Sequence, residues 1–239
     1  MQPANNNLYT VLITGANRGL GLAMTGEFLA SGHTVKTIIR RESKSLLELK
    51  KAYPARLMLY KGDVTDEESL IAVMNAISAE KDSIDILINN AAVHLDPERL
   101  AIEKVDFSVY GQTFTVNSIA PLIVIKHALP LVRKGHKKLI VNISSEAGSI
   151  GDAWRTSEYA YCMSKAALNM ASRILQNDLQ SEGIKVIALH PGWFSSDMGG
   201  TTAPITPEDA AKKVVAFILK SFNLTGPVYY DFDGKVMQW

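Results

Sequence analysis

Cysteine is almost absent from this chain of 239 residues, in which Cys162 is the only one. One cysteine excludes a disulfide within the chain and any zinc site built from several thiolates, and we expect no metal site. A chain without disulfides suits a reducing compartment, so we expect a cytoplasmic protein. On a helix, Cys162 would point to a different side from Tyr161, and we interpret it as a packing residue rather than a nucleophile.

An excess of charge is also missing, since 25 Lys and Arg residues stand against 24 Asp and Glu, a net charge of +1. This balance creates no field that would select nucleic acid or an anionic membrane, and we expect neither as a partner. The polar N-terminal tail, residues 1–7, lacks the basic and apolar regions of a secretory signal. No uninterrupted apolar run reaches the roughly 18 residues of a membrane span.

Short apolar, β-branched segments alternate with helical patterns along the whole chain, with no repeat and no linker. We predict strands at 8–14, 34–39, 57–61, 84–88, 138–143, 184–189 and 228–232. Long helices are predicted at 112–132, at 159–179 and at 207–222, the last with Thr206 as its N-cap. The pattern predicts an α/β fold in a single domain over residues 1–239, a Rossmann-type doubly wound parallel sheet of about seven strands with helices on both faces.

A glycine-rich turn, from Thr14 to Gly21, joins the first predicted strand to a helix. Glycines let a backbone approach a pyrophosphate, and the N-terminus of a helix offers unpaired N–H groups. The spacing Gly-x-x-x-Gly-x-Gly differs from the Gly-x-Gly-x-x-Gly of many dinucleotide sites. A tight turn without a ligand is the alternative interpretation.

Arg40 follows the second predicted strand, at the point where a carboxylate would bind the ribose 2′-hydroxyl of NAD. A guanidinium suits a 2′-phosphate instead, and Arg18 in the glycine turn could reach the same group. We therefore predict NADP(H) as the cofactor, with NAD(H) as the alternative. If both arginines are only solvated surface residues, this prediction fails.

Tyr161 and Lys165 are four residues apart in a predicted helix, so both side chains leave the same face. An ammonium beside a phenol favours the phenolate and lowers the pKa of the phenol. A serine such as Ser145 could hold a carbonyl oxygen while the proton moves. Asn117 interrupts an apolar helical run, either as a surface residue or as an amide that holds water near a site. For the Tyr–Lys pair alone, a solvated helix face is the alternative.

Taken in order, these motifs resemble the short-chain dehydrogenase/reductase family over nearly the whole chain. The resemblance is carried by Thr14-Gly-x-x-x-Gly-x-Gly21, Asn89-Asn90-Ala91, Ser145, Tyr161-x-x-x-Lys165 and Pro191-Gly192. Segments 190–200 and 231–239 are further similar to sniffer-type carbonyl reductases and C-factor-like proteins.

The resemblance implies NAD(P)-dependent interconversion of carbonyl and alcohol by Asn117, Ser145, Tyr161 and Lys165. Tyr161 would be the general acid of reduction, and Lys165 would lower its pKa and hold the nicotinamide ribose. Ser145 would position the substrate oxygen, and Asn117 would keep a relay water. The implied cofactor-binding residues are Thr14, Gly15, Asn17, Arg18, Gly19, Leu20, Gly21, Arg40, Asp63, Val64, Asn90, Ala91, Tyr161, Lys165, Pro191, Gly192 and Ser196.

The sequence departs from the family pattern at three places. Ala92 stands where glycine is usual, and Ser196 stands where threonine is usual. The interval from Ser145 to Tyr161 is longer than usual, with 154–156 as extra loop, so Ser144 is a rival to Ser145 as the catalytic serine.

We therefore predict an NADPH-dependent oxidoreductase that reduces an aldehyde, ketone or quinone. The alternatives are an NAD(P)H-binding signalling or redox-sensing protein of C-factor type with little turnover, and an NAD-dependent alcohol dehydrogenase. Residues 192–207 are predicted to form the substrate loop. The family resemblance also implies a homodimer or a homotetramer.

Overall fold

The computed structural model describes residues 8–80, 82–96, 98–196, 198, 200, 202–224, 226 and 228–239. The predicted polar tail at 1–7 lies outside the described residues, as do Asp197, Gly199 and Thr201 of the predicted substrate loop.

Within the residues that the structure describes, seven strands form one parallel sheet, which confirms the predicted fold. Their bounds are β1 Thr10–Thr14, β2 Thr34–Ile39, β3 Leu57–Lys61, β4 Ile86–Asn89, β5 Leu139–Ile143, β6 Lys185–His190 and β7 Tyr229–Asp231. The spatial order is β3-β2-β1-β4-β5-β6-β7, so the chain changes direction across the sheet between β1 and β4. In such sheets a ligand binds outside the carboxyl ends of the strands at this point of reversal.

Helices cover both faces of the sheet. Their bounds are α1 Gly19–Ala30, α2 Lys44–Ala52, α3 Glu67–Ala79, α4 Tyr110–Phe114, α5 Ala120–Lys134, α6 Tyr159–Leu179 and α7 Pro207–Lys220, with a π-helical turn, Thr115–Ile119, between α4 and α5. The core on one face includes side chains of α1, α2 and α7, and the core on the other includes side chains of α3, α5 and α6.

Successive side chains of a strand point to opposite faces of the sheet, and in β1 both sets include apolar residues. In β1, Val11 and Ile13 belong to the core under α1 and α7, whereas Leu12 belongs to the core under α3 and α5. All three side chains are fully buried. A strand covered on both faces has no polar side, which is why these segments appear in the sequence as continuous apolar runs.

Side-chain N-caps begin α3 and α7, and one of them, Thr206, was predicted from the sequence. The Asp66 carboxylate accepts the N–H groups of Glu68 and Ser69 at the start of α3, at 3.1 and 3.4 Å. The Thr206 hydroxyl accepts the N–H of Asp209 at the start of α7, at 3.1 Å. Both are ordinary N-caps, in which a side-chain oxygen satisfies a backbone donor that lacks a partner within the helix.

Among the described residues, one helical stretch, Phe107–Lys134, is long and apolar enough to cross a membrane. The expectation from the sequence concerned uninterrupted apolar runs only, and this stretch passes by its mean hydropathy although polar residues interrupt it. Half of the apolar window is buried inside the protein, and side chains such as Val124 and Ala128 belong to the core under β4. A buried core helix has the same length and composition as a membrane span, so the stretch is weak evidence for one.

Candidate active site

The glycine turn after β1 is fastened to the end of β4 by hydrogen bonds. The Thr14 hydroxyl accepts the N–H groups of Asn90 and Ala91 at 3.0 and 3.1 Å. In return the Asn90 amide donates to the carbonyls of Thr14 and Gly15 at 3.0 and 3.2 Å. The Asn90 side chain therefore holds the turn in place, and only the remaining surface of this segment can face a ligand.

Two glycines permit this close packing. A Cβ on Gly21 would lie 2.5 Å from the Asn90 amide nitrogen, and a Cβ on Gly15 would lie 2.9 Å from the Cα of Ala91. Gly15 also has a φ of +71°, a conformation that favours glycine. These two residues have a structural reason to be glycine that is independent of any ligand.

Gly19 has a different environment, because a Cβ added there would meet nothing within 4 Å. Its φ is +53°, and it begins α1, whose N-cap Arg18 makes no side-chain cap bond. The first N–H groups of a helix have no intrahelical partner, and the dipole places partial positive charge there. This open helix end fits the diphosphate of a dinucleotide. Asn17 is half-buried beside it, while Leu20 is buried in the core and can offer only its backbone.

Arg40 and Asp63 lie together at the carboxyl ends of β2 and β3. The Arg40 side chain is 63% exposed, and its guanidinium is 4.0 Å from the Asp63 carboxylate. Asp63 also accepts the N–H and the hydroxyl of Thr65, at 2.9 and 2.8 Å, which fixes the orientation of its carboxylate. Val64, next to Asp63, is buried against the core. An exposed guanidinium at this edge is able to pair with a phosphate.

Two adjacent serines follow β5, and their hydroxyls have different surroundings. The Ser144 hydroxyl is buried and donates to the Asn169 amide oxygen at 2.6 Å. The Ser145 hydroxyl accepts the N–H of Ala147 at 3.2 Å and lies near the Tyr161 hydroxyl, whose pKa it lowers. The structure thus brings Ser145, and not Ser144, to the tyrosine.

Tyr161 and Lys165 lie on the same side of α6, as their spacing predicts. The Lys165 nitrogen is 5.7 Å from the centre of the Tyr161 ring and donates to the carbonyl of Ile143 at 2.9 Å. Lys165 is almost fully buried, whereas Tyr161 keeps part of its surface exposed.

The pKa of Tyr161 moves in the direction opposite to the one expected from its spacing to Lys165. Burial raises the pKa of Tyr161 to about 12, and the hydrogen bond from Ser145 opposes that rise only in part. Burial also lowers the pKa of Lys165 to about 8. Spacing shows that the two groups share a helix face, but it does not show how much water each one loses, and desolvation disfavours the charged form of each.

Asn117 lies in the π-helical turn between α4 and α5 and is almost fully buried, which excludes the surface interpretation. Its amide nitrogen donates to the carbonyl of Val93 at 2.8 Å and to the hydroxyl of Ser164 at 3.0 Å. Its amide oxygen accepts the N–H of Val93 at 2.9 Å. Asn117 therefore ties the segment after β4 to α6, and the π turn, a feature common at functional sites, places it there.

The segment after β6 forms a further side of the site. Pro191 is buried, and Gly192 has a φ of +83°, where an added Cβ would collide with the ring of Phe232. The loop that follows is closed by a bridge between Phe194 and Ile205, in which the N–H of Ser195 donates to the Ile205 carbonyl at 2.9 Å.

Within this loop, the Ser196 carbonyl accepts the N–H of Gly200 at 2.9 Å. Trp193 and Met198 are exposed there. The loop thus offers apolar side chains at the surface.

Sequence reasoning missed an ionic cluster beside Tyr161. The Arg155 guanidinium bonds Glu146 at 2.8 Å and Glu158 at 2.7 Å. The extra residues at 154–156 are therefore anchored rather than a free loop. Their only signal in the sequence was an arginine inside an unexplained insertion, which does not identify its partners.

Two residues after β4 were also missed. The His94 ring lies 4.4 Å from the Tyr161 ring, centre to centre, and Asp96 contacts the first turn of α6. Nothing in the sequence connects these residues to α6, which begins more than sixty residues later.

Comparison with known proteins agrees with this geometry. A family model described as short chain dehydrogenase matches residues 9–206. The protein C-signal of Myxococcus xanthus is 36% identical over 156 residues, which span 65% of this chain and 93% of that protein.

Two solved structures share the fold over almost the full length. The carbonyl reductase Sniffer of D. melanogaster matches with a TM-score of 0.87 and 27% identity, covering 98% of this chain and 100% of the other. An NADPH-bound carbonyl reductase from chicken fatty liver matches with a TM-score of 0.86 and 31% identity, again covering 98% and 100%.

Proposed function

Since the chain belongs to the short-chain dehydrogenase/reductase family of oxidoreductases, we propose that it uses NADPH to reduce an aldehyde, ketone or quinone to an alcohol. The observation that carries this proposal is the placement of Ser145 near Tyr161, beside the buried Lys165, at the carboxyl edge of the sheet. The similarity to two proteins described as carbonyl reductases supports a carbonyl compound as the substrate.

The residues at the edge of the sheet fit a dinucleotide. The open N-terminus of α1 at Gly19 would hold the diphosphate, and Arg40 with Arg18 would hold the 2′-phosphate that distinguishes NADPH from NADH. The remaining contacts would come from Thr14, Gly15, Asn17, Leu20 and Gly21 in the turn, Asp63 and Val64 at the adenine, Asn90 and Ala91 at the adenosine ribose, Lys165 at the nicotinamide ribose, and Pro191, Gly192 and Ser196 at the nicotinamide amide. The bound cofactor would supply the hydride.

The protein's part is to hold the substrate oxygen and to give it a proton. Ser145 would donate a hydrogen bond to the carbonyl oxygen, and Tyr161 would transfer its phenolic proton to the same oxygen. Burial keeps the pKa of Tyr161 near 12, so the acid form that reduction requires is fully populated at neutral pH. The Lys165 ammonium would then stabilise the phenolate left behind.

Return of a proton to Tyr161 requires a path, and Asn117 limits where a relay water can bind. Both hydrogens of its amide nitrogen are used, by Val93 and Ser164. In the side chain, the acceptor left is the second lone pair of the amide oxygen. A relay water near Lys165 would therefore donate to Asn117 rather than accept from its amide.

The experiment that tests the proposal is consumption of NADPH by the purified protein with a panel of aldehydes, ketones and quinones. We expect turnover with at least one class and little with NADH. Tight binding of NADPH without consumption across the panel would instead favour a signalling or redox-sensing protein, a role that the similarity to C-signal brings into consideration. Preference for NADH in alcohol oxidation would favour the NAD-dependent dehydrogenase.

We also propose a cytoplasmic homodimer or homotetramer. Met163, Met170 and Ile174 are exposed apolar side chains of α6, a surface that contact with another subunit would cover. Light scattering from the purified protein measures the number of subunits, and a monomer at micromolar concentration would contradict the proposal.

A further inference from the structure

The helix that carries Tyr161 begins in an unusual way. Its N-cap residue, Glu158, has φ 61° and ψ 40°, the left-handed conformation that is uncommon for residues other than glycine. The Glu158 side chain makes no cap bond and is instead bonded to Arg155 at 2.7 Å. The first N–H groups of α6 therefore need an acceptor from another part of the chain.

Asp96, in the segment after β4, provides that acceptor. One of its carboxylate oxygens accepts the N–H of Ala160 at 2.8 Å, and the other accepts the N–H of Tyr161 at 3.3 Å. A carboxylate at the N-terminus of a helix is also favoured by the helix dipole. The cap of α6 is thus supplied by a residue 64 positions earlier, and it acts on the backbone of the predicted catalytic tyrosine itself.

The same segment contacts the tyrosine ring through His94. The two rings are 4.4 Å apart and inclined by 30°, and the His94 side chain is only 9% exposed. Its Nε2 is buried without a hydrogen-bond partner among the described residues, 3.7 Å from Asp96 and 3.8 Å from Glu158. Burial lowers the pKa of His94, against the opposing effect of these two carboxylates, so the ring is neutral at neutral pH.

We propose that Asp96 is a positioning residue for the reaction, which fixes the first turn of α6 so that the Tyr161 ring rests on His94 with its hydroxyl at Ser145. The expected effect on kcat rests on the proposed function, whereas the expected effect on the position of Tyr161 does not. Both carboxylate oxygens are needed, because each accepts a different N–H. An asparagine at this position keeps one acceptor and replaces the other by a donor.

The kinetic test compares Asp96→Ala and Asp96→Asn with Asp66→Ala, which removes a carboxylate cap of the same kind from α3. We expect Asp96→Ala to lower kcat about 10- to 100-fold at an unchanged Kd for NADPH, since small misplacements of a reacting group cost this much. Asp96→Asn should lose less. Asp66→Ala should lower only the Tm. An unchanged kcat in Asp96→Ala, or an equal loss per folded molecule in Asp66→Ala, would overturn the proposal.

A second measurement does not depend on turnover. NMR of isotope-labelled tyrosine, with the Tyr161 signal assigned by its loss in Tyr161→Phe, follows the titration of this one hydroxyl. In Asp96→Ala we expect the signal to move and the pKa of Tyr161 to fall toward that of free tyrosine. Asp96→Asn should show a smaller change of both, and Asp66→Ala should show none. If the wild-type protein reduces no carbonyl compound, the proposed function fails, and this comparison still decides the role of Asp96. An unmoved signal in both Asp96 variants rejects it.

Discussion

The Lys165 ammonium stands 5.7 Å from the centre of the Tyr161 ring and gives its hydrogen bond to the carbonyl of Ile143 rather than to the phenol. Burial moves the two pKa values apart, up to about 12 for Tyr161 and down to about 8 for Lys165. Near neutral pH the tyrosine is therefore protonated and the lysine charged. This is the state that donation of a proton to a carbonyl oxygen needs.

The rate of carbonyl reduction is expected to fall as the pH rises above about 8. Lys165 then loses its proton, and the positive charge that would stabilise the Tyr161 phenolate disappears. Tyr161 itself stays protonated until a much higher pH, so the first fall belongs to the lysine. The measurement is kcat/KM for the carbonyl substrate as a function of pH. Lys165→Arg, which stays charged, should lose this step whatever its absolute rate, and a wild-type rate that rises through pH 8 would contradict the assignment.

Tyr161→Phe removes one hydroxyl and keeps the ring that packs against His94. Because general acid catalysis contributes about 10²- to 10⁴-fold, we expect kcat to fall by that factor while the affinity for NADPH is kept. Fluorescence titration gives the affinity, and NADPH absorbance gives the rate. Tyr159→Phe, two residues earlier in the same helix, is the matched control and should behave as wild type. Near-normal turnover of Tyr161→Phe would refute its role as the acid.

The two serines after β5 should respond in opposite ways to replacement by alanine. Ser145→Ala removes the hydroxyl that faces Tyr161, and we expect kcat to fall about 10²-fold with little change in Tm. Ser144→Ala leaves the buried Asn169 amide oxygen without its donor, which should destabilise the fold by about 1–3 kcal/mol while turnover persists. Denaturant unfolding and steady-state kinetics on both variants decide the matter. Loss of turnover in Ser144→Ala alone would reverse the choice of serine.

Arg40→Asp should shift the cofactor preference from NADPH toward NADH. A charge-assisted hydrogen bond contributes about 1.5–3 kcal/mol, so its loss should raise the KM for NADPH by about 10- to 100-fold. The KM for NADH should stay the same or fall. Arg41→Asp changes the charge equally at the neighbouring exposed residue and should have a smaller effect. An unchanged ratio of the two KM values in Arg40→Asp would reject the contact with the 2′-phosphate.

Two glycines of α1 should differ sharply when replaced by alanine. Gly21→Ala brings a Cβ to 2.4 Å from the Gly15 carbonyl oxygen and 2.5 Å from the Asn90 amide nitrogen, so the bonds that fasten the glycine turn to β4 must shift. We expect a loss of about 1–3 kcal/mol and weaker NADPH binding. At Gly26 the nearest atoms are Leu49 methyl groups at 3.9 Å, and Gly26→Ala should stabilise the helix by up to about 1 kcal/mol. Equal effects at both positions would show that the contact with Asn90 is not what requires glycine.

The parallel sheet was predictable because its strands are buried on both faces, and an apolar run such as that of β1 leaves few alternatives. The pairing of Tyr161 with Lys165 followed from helical spacing alone. The pKa directions did not, since they depend on burial, which spacing does not reveal. The role of Asp96 could not be predicted either, because its carboxylate accepts the N–H of Ala160, a residue 64 positions later in the chain. The choice between Ser144 and Ser145 could not be made from the sequence, because it depends on the hydrogen bond between the Ser144 hydroxyl and Asn169.

All seven strands run in the same direction, so every loop of the proposed site leaves one edge of the sheet. At the opposite edge lies the short turn of Ser181, Glu182 and Gly183 before β6, and these three residues are exposed. That edge is therefore the place to attach a fluorophore, a surface tether or an affinity handle when the enzyme is to be immobilised. A cysteine introduced at Ser181 would give a labelling point on the far side of the molecule from Tyr161, and the half-buried Cys162 thiol would compete with it only weakly, because burial raises the pKa of that thiol to about 11.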